Sequence, residues 1–290
     1  MDISINGKTA DITLESERTV GEVLGGIESW LRSSGFTLNG LEIDGEPVLS
    51  DAVSAAFERE LGGVSALDIK ICSRSELAMD ALGKARDFLA AYCGAVEQNN
   101  REESTRIGEL WTSSAAASFL AAENSELYRI IAGVFDMAAG PSRAKDILPL
   151  IDERIRELAD PRAEILKMEG MVEEVAGRLE DLPLDIQTGK DGRAAESVTI
   201  FSALAEKLFR LFYLIQAQGE DLSGVSVKNS SAEPEGILIY DFLREFSAAL
   251  KELILAYEAK DVVLVGDLAE YELAPRFRVF YRSLKIPQGQ

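Results

Sequence analysis

Along the first 73 residues the spacing of apolar positions alternates, switches period, and alternates again. Ile3 and Ile5 alternate with polar neighbours, Asn6-Gly7 is a hairpin dipeptide, and Ile12 and Leu14 alternate once more. This predicts two antiparallel strands. Val20, Val23, Leu24, Ile27, Trp30 and Leu31 then fall at helical spacing, which places all six, Trp30 included, on one buried stripe. Thr19 is the expected N-cap, Glu22 completes the capping-box spacing, and Gly35 suits the end of the helix. Residues 38–43 and 47–48 read as short strands around Asp44-Gly45. Residues 51–61 read as a short helix, and Leu67, Ile69 and Ile71 as a last strand.

The resulting order is β-β-α-β-β-α-β. With GKTADITLESERTVGEVL and LEIDGEPV as its best-matching stretches, it resembles the ubiquitin-like β-grasp. The resemblance covers a quarter of the chain and implies a fused scaffold or docking module. Ubiquitin, its conjugated relatives and the sulfur carriers end in a free Gly-Gly tail. Here Gly62-Gly63 precedes the last strand, and the chain runs on through Ser73-Arg74-Ser75. Conjugation and sulfur transfer are therefore not implied.

From residue 74 onward strand-like alternation gives way to helical spacing. Helices are expected over about 75–99, 101–121 and 124–139, with a stop at Gly140-Pro141. A long helix is expected from about 142 to 181, with a break at Asp160-Pro161 and a close at Pro183. Residues 184–193 read as a polar connector, 194–218 as a helix, 219–235 as a loop and 236–258 as a helix. The last helix begins with Asp261 as N-cap and is expected to kink or break at Pro275. Six or seven helices make an all-α bundle. The fold class is thus α+β: a ubiquitin-like β-grasp over residues 1–73 and a helical bundle over 74–290. The stretches LDIQTGKDGRAAESV and DVVLVGDLAEYELAPRF resemble segments of uncharacterised helical-bundle proteins of spirochaetes and clostridia. That resemblance implies a bacterial source and transfers no catalytic role. Some of those bacteria are motile, which links the resemblance to a flagellar or secreted subunit.

Composition narrows the function. Thirty basic and fifty acidic residues among 290 give a net charge of −20, and there is no histidine. Triads, Cys-His dyads and imidazole metal sites are excluded. The charge opposes phosphate backbones and anionic lipid, so no nucleic acid and no membrane insertion is expected. MDISING lacks the basic and apolar regions of a signal peptide, and no apolar run approaches the roughly 20 residues of a membrane span. A cytoplasmic protein is expected, with Cys72 and Cys93 as reduced, buried thiols.

Several residues carry candidate chemistry. Asp267 and Glu270 are i,i+3 neighbours in GDLAEYELAP, where paired carboxylates hold a cation, act as acid and base, or with Tyr271 form a docking epitope. The plainer reading pairs them with Arg276 and its neighbours. Lys190 and Arg193 in TGKDGR stand where a helix N-terminus holds anions. The P-loop pattern fails there, because Leu184 occupies the position of its first glycine. The plainer reading is a helix-to-helix turn capped by Asp191. Phe277, Phe280 and Tyr281 interleave with Arg276, Arg278 and Arg282, which suits either an interface or the core. Trp111 is expected to be packed. Glu173-Glu174 and Glu180-Asp181 read as solvated faces.

The sequence therefore points to a non-enzymatic protein–protein interaction module, adaptor or chaperone-like, for an unidentified protein partner. No cofactor is expected. The possible partner-binding residues are Asp267, Glu270, Tyr271, Arg276, Phe277, Lys190 and Arg193. The alternative is a carboxylate-based metal- or ligand-binding enzyme, with Asp267 and Glu270 as ligands and Lys190 as anion clamp. Oligomeric state is left open.

Overall fold

The structure, a computed structural model, describes residues 1–49, 51–135, 140–227 and 236–285. It is α+β, with two compact units, Met1–Ile151 and Asp152–Gln290.

The first unit opens with β1 (Asp2–Ile5), β2 (Lys8–Thr9), α1 (Val20–Ser33), β3 (Phe36–Ile43), β4 (Glu46–Pro47), α2 (Val53–Phe57) and β5 (Ala66–Ser73). The strands form one mixed sheet in the order β2-β1-β5-β3-β4, in which only β1 and β5 run parallel, with Ile3 opposite Leu67 and Ile5 opposite Ile69. Asn6-Gly7 and Asp44-Gly45 all have positive φ, as a two-residue primed hairpin turn requires. Thr19 and Glu22 form the expected capping box. The core joins Val20, Val23, Leu24, Ile27 and Leu31 of α1 to Ile3, Leu41, Leu67 and Ile69 of the sheet.

Three expectations for this region are corrected. Trp30 is 54% exposed rather than buried, because the buried stripe of α1 closes on Ile27 and Leu31. Ile12 and Leu14 lie outside any strand: the Ile12 N–H turns back to Ala10 O and the ladder stops, while both side chains rest against the core. The helix expected over 51–61 shrinks to α2. The chain leaves it to bridge Glu60 to Thr19, with Val20 N–H donating to Arg59 O and Leu61 N–H to Arg18 O.

The strand β5 passes directly into α3 (Arg74–Glu97). Ser73 is its N-cap in a capping box with Glu76, two residues earlier than the expected start at Ser75. Next come α4 (Arg101–Thr112), α5 (Ala115–Glu123) and α6 (Ser125–Phe135). Ser114 caps α5 by accepting from Ala117 N–H, which splits the helix expected over 101–121. Trp111 is fully buried between Phe88 and Phe135. Cys72 and Cys93 are buried free thiols, and burial pushes both above the usual thiol range. The end of the helix expected over 124–139 lies outside the described residues. Gly140-Pro141, expected as a stop, instead opens α7 (Gly140–Ala159), since a missing N–H costs nothing in a first turn. The division between the two units falls inside this helix.

The second unit continues with α8 (Pro161–Leu166), α9 (Glu169–Glu180), α10 (Leu182–Gln187), α11 (Asp191–Ala217), β6 (Ser226–Val227), β7 (Ile237–Leu238), α12 (Ile239–Glu258), α13 (Val262–Asp267) and α14 (Ala274–Lys285). The long helix expected to reach residue 181 is broken twice. Asp160 caps α8 with Pro161 in its first turn, and a second break follows Leu166. Pro183 does not close a segment but starts α10, which fills half of the expected connector. The hairpin β6-β7 stands inside the region read as loop and helix. Residues 268–273 are a π-helical turn that joins α13 to α14. Pro275 therefore causes no break, because the wider turns just before it accommodate the ring and the missing donor. The core of this unit is aromatic: Phe209, Phe212, Phe242 and Phe246 surround Phe280 with ring centroids 5.0–6.4 Å apart.

Candidate functional site

The residues singled out from the sequence divide into three groups. Asp267 and Tyr271 are exposed on one continuous helical surface, one turn apart. The Tyr271 hydroxyl donates to the Glu270 carboxylate; that bond, with the nearby Glu270 and Asp267 charges, holds the phenol above its usual range. Arg276 is ion-paired with Glu272 on the same face. Phe277 is fully buried edge-on against Phe201, so it packs the core and offers nothing to a partner. Lys190 and Arg193 turn to carboxylates: the nearly buried Asp185 lies 3.6 Å from Lys190 Nζ and 3.0 Å from Arg193 Nε, and Asp181 lies 3.7 Å from Arg193 Nη2. Their charge is spent inside the fold rather than aimed at an anion. The loop itself is a helix-to-helix turn. Gly189 at φ +69° lets Gly189 N–H reach Ile186 O and Lys190 N–H reach Asp185 O. Asp191 is the first residue of α11 and not its cap. Among the described residues no group of three or more His, Cys, Asp or Glu side chains is placed to hold a metal ion.

The acidic runs are not free solvated faces. Glu173 and Glu180 both bind Arg278, Glu174 pairs with Arg178 at 2.9 Å, and Glu169 pairs with Lys285 at 2.9 Å. The pairs to Arg278 and Lys285 fasten α9 to α14, while Glu174 and Arg178 pair within α9. Deeper still, Glu157 of α7 has no exposed side-chain surface. Arg210 of α11 grips it with two bonds of 2.7 and 3.0 Å, Arg154 donates at 3.0 Å, and Lys207 stands 3.6 Å away. Lys207 also binds Glu153. Burial lifts the Glu157 carboxyl above the ordinary glutamate range, against the pull of Arg154 and Lys207. A cleft of about 530 Å³ adjoins this network. Arg154, Lys207 and Arg210 are matched there by Glu153, Glu174 and Glu206, so it carries no net field. No local spacing announces this network, because its partners are 53 residues apart in the chain.

The turn between α12 and α13 is built in the opposite way. Ile254, Leu255, Tyr257, Val262 and Val263 are all large, apolar and exposed within ten residues; Leu255 is 64% and Val263 70% exposed. The acids around them, Glu252, Glu258, Asp261 and Asp267, have no lysine or arginine at ion-pair distance among the described residues. The backbone of the corner is well made. Lys260 N–H bonds Tyr257 O and Asp261 N–H bonds Ala256 O, and Asp261 caps α13 by accepting from Leu264 N–H. Lys260 holds φ +57° in this motif, a position that glycine usually takes and that costs a lysine about 1–3 kcal/mol.

Beside the corner lies a cleft of about 330 Å³. Leu182 and Ile186 of α10, Ala194 and Val198 of α11 and Val265 of α13 line it, with Tyr257, Lys260 and Val262 from the corner and Asp191 completing the wall. Gly266 lets α13 approach α10 closely: a Cβ there would stand 3.1 Å from the Pro183 side chain. The sequence reading found Asp267 and Tyr271 near this place but missed the corner. Exposed positions of a helix carry a visible signal only when the buried stripe is known first.

The fold and corner thus define a two-unit α+β protein whose second unit bares an acidic, apolar surface. Residues 1–73 match a family model described as the TP0873 N-terminal domain, and residues 164–283 match one described as a domain of unknown function (DUF8042). An uncharacterized protein of Treponema pallidum (strain Nichols) is 25% identical over 278 residues, covering 96% of this chain and 93% of that protein. No solved structure matches. The spirochaete likeness agrees with the bacterial source implied by the sequence resemblance. No helix among the described residues is long and apolar enough to cross a membrane.

Proposed function

We propose that this is a non-enzymatic protein-interaction module of the bacterial cytoplasm, adaptor or chaperone-like, and that the α12–α13 corner carries its partner. One observation supports the reading above the others: five large apolar side chains stand exposed within ten residues, among acids that have no basic partner among the described residues. Exposed apolar patches rimmed by polar groups mark interaction sites, and scattered apolar exposure does not. Tyr271, Asp267 and Glu270 extend the patch along the next turn of helix. We infer as well that residues 1–73 are a ubiquitin-like β-grasp that acts as a docking head. The strand order and the single parallel pair β1–β5 support it.

The test is a photocrosslinker, benzoylphenylalanine, placed in the native cell at Val263 and, as control, at exposed Ser202 on α11. The expected result is a discrete adduct with another protein from position 263 only, lost when Leu255 is changed to Glu. Equal adducts from both positions, or none from 263, would overturn the proposal.

A further inference from the structure

Resting on that reading, we infer that the corner takes a basic amphipathic helix, which seats one apolar side chain in the cleft between α10, α11 and α13. Charge selects the class of partner. Residues 252–272 contain Glu252, Glu258, Asp261, Asp267, Glu270 and Glu272 against Lys260 alone, and among the described residues Glu272 alone of these acids is ion-paired, with Arg276. A second copy of this chain would bring the same acids face to face, and an anionic lipid surface or a phosphate backbone would be repelled in the same way. A cationic segment is drawn in.

Shape selects the helix. Among the described residues of this unit the strands are β6 and β7, two residues each and paired with one another, so none gives an extended peptide a long edge. The corner offers instead an apolar cleft flanked by apolar shoulders, Tyr257 and Val262 on its wall and Leu255 and Val263 standing exposed close by in the chain. Anchors at i, i+3, i+4 and i+7 of a docked helix meet that relief. About 330 Å³ is room for a leucine or phenylalanine side chain. The unpaired acids then face the basic side of the docked helix, and the corner loses both its bare apolar surface and its uncompensated charge.

The probe is an 18-residue Leu/Lys amphipathic helix carrying a fluorophore, read by anisotropy against the full chain. Two controls accompany it: the same peptide with Glu in place of Lys, and the same composition interrupted by two prolines. The Lys peptide is expected to bind at least ten times more tightly than either control, and to weaken steeply between 50 and 500 mM salt. Ala195→Trp, which plugs the mouth of the cleft from a half-buried position, and Val263→Glu should each cost at least tenfold. Glu252→Lys with Glu258→Lys, both exposed, should reverse the preference toward the Glu peptide. Equal binding of the Lys and Glu peptides, or of the proline peptide, would overturn the inference. So would unchanged binding by Ala195→Trp while its circular dichroism matches the parent. If the crosslink from Val263 persists in cells under any of those outcomes, this inference alone falls. If the crosslink is absent as well, the interaction reading falls with it.

Discussion

The face formed by α11 and the last turns of α7, from Asp152 on, and the corner formed by α12 and α13 belong to one unit and treat carboxylates in opposite ways. On the first, Glu157 is taken wholly out of water and met by Arg210, Arg154 and Lys207. On the second, Glu252, Glu258, Asp261 and Asp267 stay in water without a cation among the described residues, beside large apolar side chains that are exposed as well. The first arrangement is complete in itself, and removing its central carboxylate takes away the group on which three cations converge. The second is incomplete in itself, so its substitutions should be nearly silent in stability and decisive in binding. A net charge of −20 is therefore distributed unevenly in its consequences: part is consumed in fastening helices, and part stays unpaired among the described residues.

The largest effect should come from the buried network. Glu157→Ala takes the buried carboxylate from Arg210 and Arg154, of which Arg210 keeps, among the described residues, only its bond to exposed Glu206, and should destabilise by about 3–5 kcal/mol, measured as a shift of the far-ultraviolet circular dichroism midpoint in urea. A shift under about 1 kcal/mol would mean that water reaches the network and that the contrast with the corner is smaller than drawn. A second paired carboxylate, Asp68 in the first unit, sharpens the same point. Lys70, Ser4 and the Gly7 N–H hold its carboxyl down to about 2, from an ordinary 3.8. A lowered folded value contributes stability that is whole above pH 3.8 and disappears as pH falls toward 2. Asp68→Asn should cost about 1.5–3 kcal/mol at neutral pH and flatten the acid limb between pH 4 and 2. Both tryptophans, Trp30 and Trp111, lie in that unit, so their fluorescence reads this transition.

At the corner the effects should be smaller. Lys260→Gly relieves a left-handed lysine and should stabilise by about 1 kcal/mol, seen as a rise in melting temperature. Val263→Glu and Leu255→Glu should change stability by less than about 0.5 kcal/mol, as exposed substitutions do. A loss of more than 2 kcal/mol from either would show that the corner is packed and not bare, and would remove the contrast.

Local chemistry made much of the architecture readable. The Asn6-Gly7 and Asp44-Gly45 turns, the Thr19–Glu22 box, the Asp261 cap and the stripes of α1 and α11 are set by residues a few positions apart. So was the α+β class, whereas the exposure of Asp267 and Tyr271 was not, since spacing put Asp267 and Glu270 on one helix face without saying whether it is covered. The failures share a cause. Trp30 obeys the helical period of α1 and still faces out, because the width of the buried stripe depends on what covers it. Pro275 sits in an unbroken helix because of a π turn that no spacing announces. Lys190 and Arg193 look available until Asp185 is brought within reach of both.

The sequence by itself determined the local elements, the mixed composition of the fold and the excess of acid, because propensity, capping and net charge are properties of near neighbours and sums. Only the tertiary structure decided which acids are spent and which are free. Glu157 and Arg210 meet across 53 residues, while Glu258 and Asp261 meet no cation among the described residues. An ion pair forms where packing brings two chains of atoms within a few ångströms, and that distance is not written in the order of residues.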